Sequence, residues 1–326
     1  SMYGLFSPAK YQQERQRILA QIDGCIREIQ TQLPTESTAV YVISPTASKL
    51  EQMQSALLTP VIVVKPGFTG TLKSYTTHRN GIIAGTDLKN SVLHCITQEI
   101  NDPLYVQPDS NTYQTLQQLN RKIVFSYANR QQIIIMHISL VFLFLLVATL
   151  LTLKKHAKTI AQLLILYTLA VPLSLLLIAN AELLNRNIFM LVSVTLSLVI
   201  ALASFITGKL FKINSILPVL LTTVMVLAVD LVTNLGLVKN SVMSYNIISG
   251  LRYYGLGNEY MGVMIGATIC FAAIFLHETS TRNKYFITAL LFCAVIFLIA
   301  YPLFGINVGG TITASLGLGY TFIKFN

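Results

Sequence analysis

The stretch Ile133–Leu153, IIIMHISLVFLFLLVATLLTL, decides the fold class. It is 21 residues long with no Asp, Glu, Lys or Arg in it. About 20 apolar residues cover the hydrocarbon core of a bilayer when wound as a helix, so this run predicts a transmembrane span. Six further runs follow at short intervals: Thr159–Leu184, Ile188–Thr207, Ser215–Leu237, Tyr260–Leu276, Tyr285–Leu303 and Gly309–Ile323. The last is the most glycine-rich. Pro172 and Pro218 are expected to kink their spans, each removing a helix hydrogen bond.

Charge divides the chain at the same place. Residues 1–131 carry 12 Lys/Arg and 9 Asp/Glu, whereas residues 132–326 carry 11 and only 4. The first part is an ordinary polar chain and the second one that lipid can surround. The expected organisation is an extramembrane α/β segment, 1–131, followed by an all-α polytopic membrane domain of about seven helices, 132–326. The net charge of +10 does not indicate nucleic acid. No basic stripe interleaves with aromatics, and the cations of the second part lie between apolar runs.

Those cations alternate in number from gap to gap. Lys154, Lys155, Lys158, Lys209, Lys212, Arg282, Lys284 and Lys324 fall on one side, and Arg186, Lys239 and Arg252 on the other. The positive-inside bias puts the lysine side in the cytoplasm, the first segment outside and the C-terminus inside, in a cell membrane. An exported segment needs a signal peptide or a preceding span, and residues 1–30 read as neither. The chain is therefore expected to be the C-terminal part of a longer protein, with Ser1-Met2 the remnant of a cleaved tag. A cytoplasmic first segment is the competing reading.

In that segment Ile18, Ile22, Cys25, Ile26 and Ile29 recur at helical spacing, predicting a helix over Tyr11–Gln32 that stops at Pro34. Ala39–Ser44, Pro60–Lys65 and Gly81–Ala84 read as strands, and Leu88–Ile100 as a helix. Alternating helices and apolar strands suggest a mostly parallel sheet. Cys25 and Cys95 could pair, whereas Cys270 and Cys293 read as packing residues inside apolar runs.

The string Thr59–Leu93, TPVIVVKPGFTGTLKSYTTHRNGIIAGTDLKNSVL, resembles the closing part of alkaline-phosphatase/sulfatase-like domains. It looks most like bacterial membrane proteins in which a divergent domain of this type precedes several spans. The likeness lies in the order of Ser44-Pro45-Thr46, Leu58-Thr59-Pro60-Val61, Thr77-His78-Arg79-Asn80-Gly81-Ile82 and Thr86-Asp87-Leu88. It covers roughly residues 13–130 and continues through Ser249–Gly262. The resemblance implies a half-domain whose nucleophile and metal ligands would lie in a missing N-terminal half, and a divalent metal as cofactor only if that half supplies the ligands. Ser44, His78, Thr86 and Asp87 are the residues it singles out. Where active members place an Asp-His metal pair, this chain has Ser44-Pro45, and a proline cannot ligate. As written, the segment is not a competent metallohydrolase, and no metal or other cofactor is expected.

The membrane part offers more chemistry. An ionisable residue inside a span costs about 2.5–3.5 kcal/mol on the insertion scale, which makes it a functional candidate. Asp230 is the clear case, with Asn234 one turn later. The stretch Ser249–Gly262, SGLRYYGLGNEYMG, adds Arg252, Tyr253, Asn258 and Glu259, and GINVGG (Gly305–Gly310) adds Asn307. If the two loops meet beside Asp230, they could line a cavity where Arg252 grips a phosphate or carboxylate. Arg252 could instead pair with Glu259 or Asp230. Three functions follow as expectations: binding or translocation of a lipid-linked or anionic envelope substrate, an extracytoplasmic phospho- or sulfo-transferase or hydrolase, and an ion-coupled transporter using Asp230. Membrane lipids, an envelope lipid or glycopolymer and other membrane proteins are the partners implied. The histidines at 137, 156 and 277 read as interfacial.

Overall fold

The structure is a computed structural model, described for residues 8–34, 38–98, 101–154, 157–245, 247–248, 252–278 and 281–325. Ser1-Met2, Ile100, Lys155, His156 and Ser249–Leu251 lie outside the described residues. The chain divides into two compact units, Ser1–Ala128 and Asn129–Asn326.

The first unit opens with helix α1, Pro8–Gln32, followed by β1 (Val40–Ile43), α2 (Lys49–Met53), β2 (Val61–Val64), β3 (Thr71–Ser74), α3 (Gly85–Thr97) and β4 (Leu104–Gln107). The expected parallel sheet is not what forms. β1 pairs antiparallel with β2, Val40 opposite Val64, and β3 pairs antiparallel with β4, Thr71 opposite Gln107, in two separate ribbons. Parallel sheets need helices on both faces. Here the link from β1 to β2 carries only the five-residue α2, and β2 alternates half-buried and exposed residues, as a one-sided antiparallel strand does. Gly81–Ala84 is not a strand: Asn80-Gly81 make a tight turn closed by an Arg79–Ile82 bridge.

Side chains tie the pieces together. The Tyr41 hydroxyl on β1 meets Ser91 Oγ on α3 at 2.9 Å and Cys95 Sγ at 3.4 Å. Burial, then the bond to Cys95, pushes the phenol up to about 12. Cys25 and Cys95 are both free thiols, so the pairing they could have made is absent; Cys270 and Cys293 are also free, and exposed where packing was expected. Lys65, just past β2, forms an ion pair with Asp102, just before β4, and lies 3.9 Å over the Phe68 ring. Burial raises the Asp102 carboxyl, but the Lys65 ammonium and the Leu104 N–H outweigh it and hold the group below the usual carboxylate range. A depressed carboxylate contributes stability that is complete above its unfolded value of about 3.9 and is lost as pH falls through the folded value. Amide-exchange protection in β4 is accordingly expected to fall about tenfold in Asp102→Asn at neutral pH. The difference should close as pH falls through the folded value, and equal protection at neutral pH would refute the assignment.

The second unit is helical. Helix α4, Thr112–Leu153, crosses the boundary between the units, and α5 (Lys158–Leu177), α6 (Arg186–Phe211), α7 (Ile216–Thr233), the single turn α8 (Leu237–Asn240), α9 (Asn258–Glu278), α10 (Arg282–Ala300) and α11 (Val308–Phe325) follow. Six of these, α4 to α7, α9 and α10, are long and apolar enough to cross a membrane. The protein is thus a multi-pass membrane protein in contact with lipid. The expected seventh span forms helix α11, which falls short of the six in apolar character but runs the length of α10. Tyr285 at the start of α10 bonds to the Phe325 carbonyl at the end of α11, and Asn307 N bonds to Ile299 O at the opposite end, at 3.1 Å. Its glycines and threonines dilute the hydropathy without breaking the helix.

Helices α7, α9, α10 and α11 bury the main core around Leu227, Tyr260, Met264, Ile299 and Leu318. Helix α6 turns a stripe of small residues, Ser193, Ser197, Ala201, Ser204 and Gly208, toward its neighbours. Such stripes let helix backbones approach closely where lipid provides no hydrophobic drive. Pro172 lies inside α5 as expected, whereas Pro218 occupies the first turn of α7, where no intrahelical bond exists to be lost.

Candidate functional site

One end of the bundle gathers Arg130, Arg186, Asp230, Lys239, Arg252, Glu259 and Asn307. The helix alternation places Lys154, Lys158, Lys209, Lys212, Arg282, Lys284 and Lys324 at the other. At the first end α7 finishes early. Asn234 leaves the helix with φ 55°, its N–H bonded to Asp230 O at 2.8 Å. Asn234 is therefore a helix cap, not a facing partner of Asp230, and its Oδ1 accepts from Lys239 Nζ at 2.5 Å. Asp230 itself is 4% exposed. Its two carboxylate oxygens accept from Leu237 N and Val238 N, each at 2.8 Å, which are the first N–H groups of α8. A helix N-terminus is a favourable place for a carboxylate. One turn on, Ser241 Oγ meets the buried Tyr260 hydroxyl of α9 at 2.6 Å.

The loops around Arg252 and Asn307 do meet. Leu256 N donates to Gly305 O at 2.8 Å, and Gly255, at φ +82°, lies against Ile306 and Gly305 closely enough that a Cβ would fall 2.4 Å from the Ile306 side chain. Leu256 O accepts twice, from Arg252 Nη1 at 2.7 Å and from Asn307 Nδ2 at 2.9 Å. Asn307 Nδ2 also reaches Asn258 Oδ1 at 3.2 Å, and its own Oδ1 accepts from Gly310 N at 2.8 Å. Asn307 is buried, Arg252 and Tyr253 are half-buried, and Asn258 and Glu259 are exposed.

Arg252 pairs with neither acid suggested for it. Glu259 is taken by Arg130, Nη2 to Oε1 at 2.7 Å, whose Nε also donates to Val242 O at 3.0 Å. Sequence reasoning missed Arg130, which is the last cation before the first apolar run and lies 129 residues from its partner. Among the described residues Arg252 forms no ion pair.

His137, near the start of its span, is 3% exposed inside α4, with Nε2 at 3.1 Å from Ser193 Oγ on α6, a packing role that sequence did not assign. Ser197, one turn on, meets Ser174 of α5 at 2.7 Å. The serine period on α6 was the available signal. Above His137 a groove of about 530 Å³ opens between α4 and α6, lined by Gln132, Ile133, Met136, Arg186, Met190, Leu191 and their neighbours.

In the first unit, Ser44 Oγ donates to Thr46 O at 3.2 Å, and Thr86 is exposed. Asp87 is buried at the start of α3, accepting from Ala84 N at 2.9 Å and Thr76 Oγ1 at 2.5 Å. His78 is half-buried at φ 49°. Asp87 thus does the work of a helix cap. Among the described residues no three His, Cys, Asp or Glu side chains cluster as a metal site would need.

No protein-family model matches the chain, and neither the curated proteins nor the solved structures compared with it include a significant match. The phosphatase-like resemblance of Thr59–Leu93 rests on its own residues.

Proposed function

We propose that this is a cell-envelope membrane protein, of bacterial type, whose helical unit binds or translocates an anionic or lipid-linked envelope substrate at the end bearing the Arg252–Asn307 junction. In this reading the lysine-rich end is cytoplasmic, and the first unit is a degenerate phosphatase-like module on the other side. The single observation that supports it is Arg252, a half-buried guanidinium held in place by Leu256 O and in no ion pair among the described residues. A positioned guanidinium is a receptor for phosphate or carboxylate.

Binding of a short-chain polyprenyl phosphate to the detergent-solubilised protein tests this. Arg252→Gln is expected to weaken it by about tenfold or more, the loss of one charged hydrogen-bonding partner. Arg252→Lys should recover part of the loss. Unchanged affinity in Arg252→Gln would remove the proposal. An ion-coupled role for Asp230 lacks similar support, since both its oxygens already accept backbone N–H groups. A transferase or hydrolase role rests on the resemblance alone.

A further inference from the structure

The groove between α4 and α6 has the chemistry of a lipid site. Its mouth is polar: Arg186 and Asn187 in the first turn of α6, and Gln132 at the edge of the apolar run of α4. Its floor is apolar, made by Ile133, Met136, Met190 and Leu191. Gln132 and Arg186 border the predicted spans, so the mouth lies at headgroup depth and the floor descends into the acyl region.

Two observations say what fills it. The first is electrostatic. Arg186 is the first residue of α6, where the helix dipole is already positive, so its charge adds to the dipole instead of opposing it. The Gln132 side-chain carbonyl accepts from its Nη1 and fixes the guanidinium, but among the described residues no carboxylate pairs with it. Asn185 Oδ1 already caps the N–H groups of Asn187 and Ile188, so the side chains, not the helix end, supply the donors. The second is packing. Only 17% of the apolar window of α4 is buried, the least of the six spans, so α4 stands away from the bundle and the groove is open to the side. Met136 and Leu191 face outward at 51% and 68% exposure.

We infer that the α4/α6 groove binds an anionic phospholipid of the surrounding leaflet, its phosphate on Arg186 and Asn187 and an acyl chain along Met136 and Leu191. The apolar floor excludes a free anion as the natural occupant. No acid is among the residues that line the groove, so the lining itself offers no partner for the ammonium of a zwitterionic headgroup. Basic pockets between membrane helices bind anionic headgroups by the same logic. The inference rests on the membrane reading and on Arg186, and is independent of Arg252.

The test is lipid retention. The full chain is reconstituted in mixed phosphatidylglycerol and phosphatidylcholine nanodiscs, extracted in mild detergent, and its bound lipid quantified by mass spectrometry. Wild type and Arg252→Gln are expected to retain phosphatidylglycerol about fivefold above its bulk share. Arg186→Gln should fall to the bulk ratio, and Arg186→Lys should keep part of the enrichment. Leu191→Trp, a lipid-facing change that fills the groove while leaving the charge, should also abolish it and serves if Arg186→Gln fails to fold. No enrichment in wild type, or wild-type enrichment in both Arg186→Gln and Leu191→Trp, overturns the inference. Loss of enrichment in Arg252→Gln with retention in Arg186→Gln would overturn it too, while leaving the junction proposal standing.

Discussion

Gly305→Ala is expected to destabilise the helical unit by about 3 kcal/mol or more, the upper range for an overpacked site whose surroundings are backbone. A Cβ at this position would lie 2.5 Å from Ile299 O, 2.6 Å from Ile299 Cα and 2.6 Å from Leu298 O. None of these atoms belongs to a side chain that could rotate away. Gly305 N also donates to Leu298 O at 2.9 Å, closing the turn that ends α10, and its carbonyl receives Leu256 N from the facing loop. Moving the residue to relieve the clash therefore loosens both loops and, with them, the anchoring of Asn307 and Arg252 on Leu256 O. The check is denaturant or thermal unfolding in detergent, with Gly262→Ala as the control. Gly262 sits in α9 with nothing within 4 Å of its would-be Cβ, so alanine there should be neutral or add up to about 1 kcal/mol. If Gly305→Ala unfolds within about 0.5 kcal/mol of wild type, the close packing of the Gly305 turn against the end of α10 is wrong.

The contrast between these glycines shows what could be read from the chain without coordinates. Long apolar runs such as Ile133–Leu153 announce their helices, because a span has to satisfy its own backbone hydrogen bonds and so depends little on partners. Strand pairing depends on partners entirely. The apolar strings at 40–43 and 61–64 were legible as strands, but their antiparallel pairing followed from a connecting helix too short to cover a parallel sheet. The strand TLKS, with one apolar residue, and the short run LYVQ were missed. Helix ends were less legible. Two predicted spans stop early, at Leu177 and at the Asn234 cap, and the two ends meet through Asn180 Nδ2 to Leu235 O at 3.1 Å.

The same division runs through the site. That Arg252 and Asn307 come together was an expectation from two glycine-bearing loops at the same end of the bundle. That Glu259 belongs to Arg130 was not, since a salt bridge between residues so far apart leaves no spacing to read. The α4/α6 groove left no motif either. It exists because α4 packs little of its surface, and packing extent is a property of the assembled bundle, not of any one run.

Asp230→Ala is expected to cost about 3 kcal/mol, because it strands two donors at once, Val238 N buried and Leu237 N half-buried. A hydrogen bond to a charged group contributes roughly 1.5–3 kcal/mol, and an N–H left unsatisfied away from water costs its own desolvation. Leu237 N and Val238 N have the carboxylate as their acceptor at 2.8 Å, and as the opening residues of α8 they have no intrahelical carbonyl to turn to. Losing them should release the α7–α8 turn and weaken the Ser241–Tyr260 contact one turn beyond. Asp230→Asn keeps one acceptor oxygen and should cost about half as much. Amide exchange at Leu237 and Val238 checks the mechanism: both should accelerate together in Asp230→Ala, and only one in Asp230→Asn. Sequence identifies the burden of a buried carboxylate but not what relieves it; here two local amides take that task, and on this prediction Asp230 is a structural clamp. If Asp230→Asn instead left both amides protected and the unfolding midpoint unchanged while abolishing substrate uptake, the clamp would be wrong and an ion-coupling role would take its place.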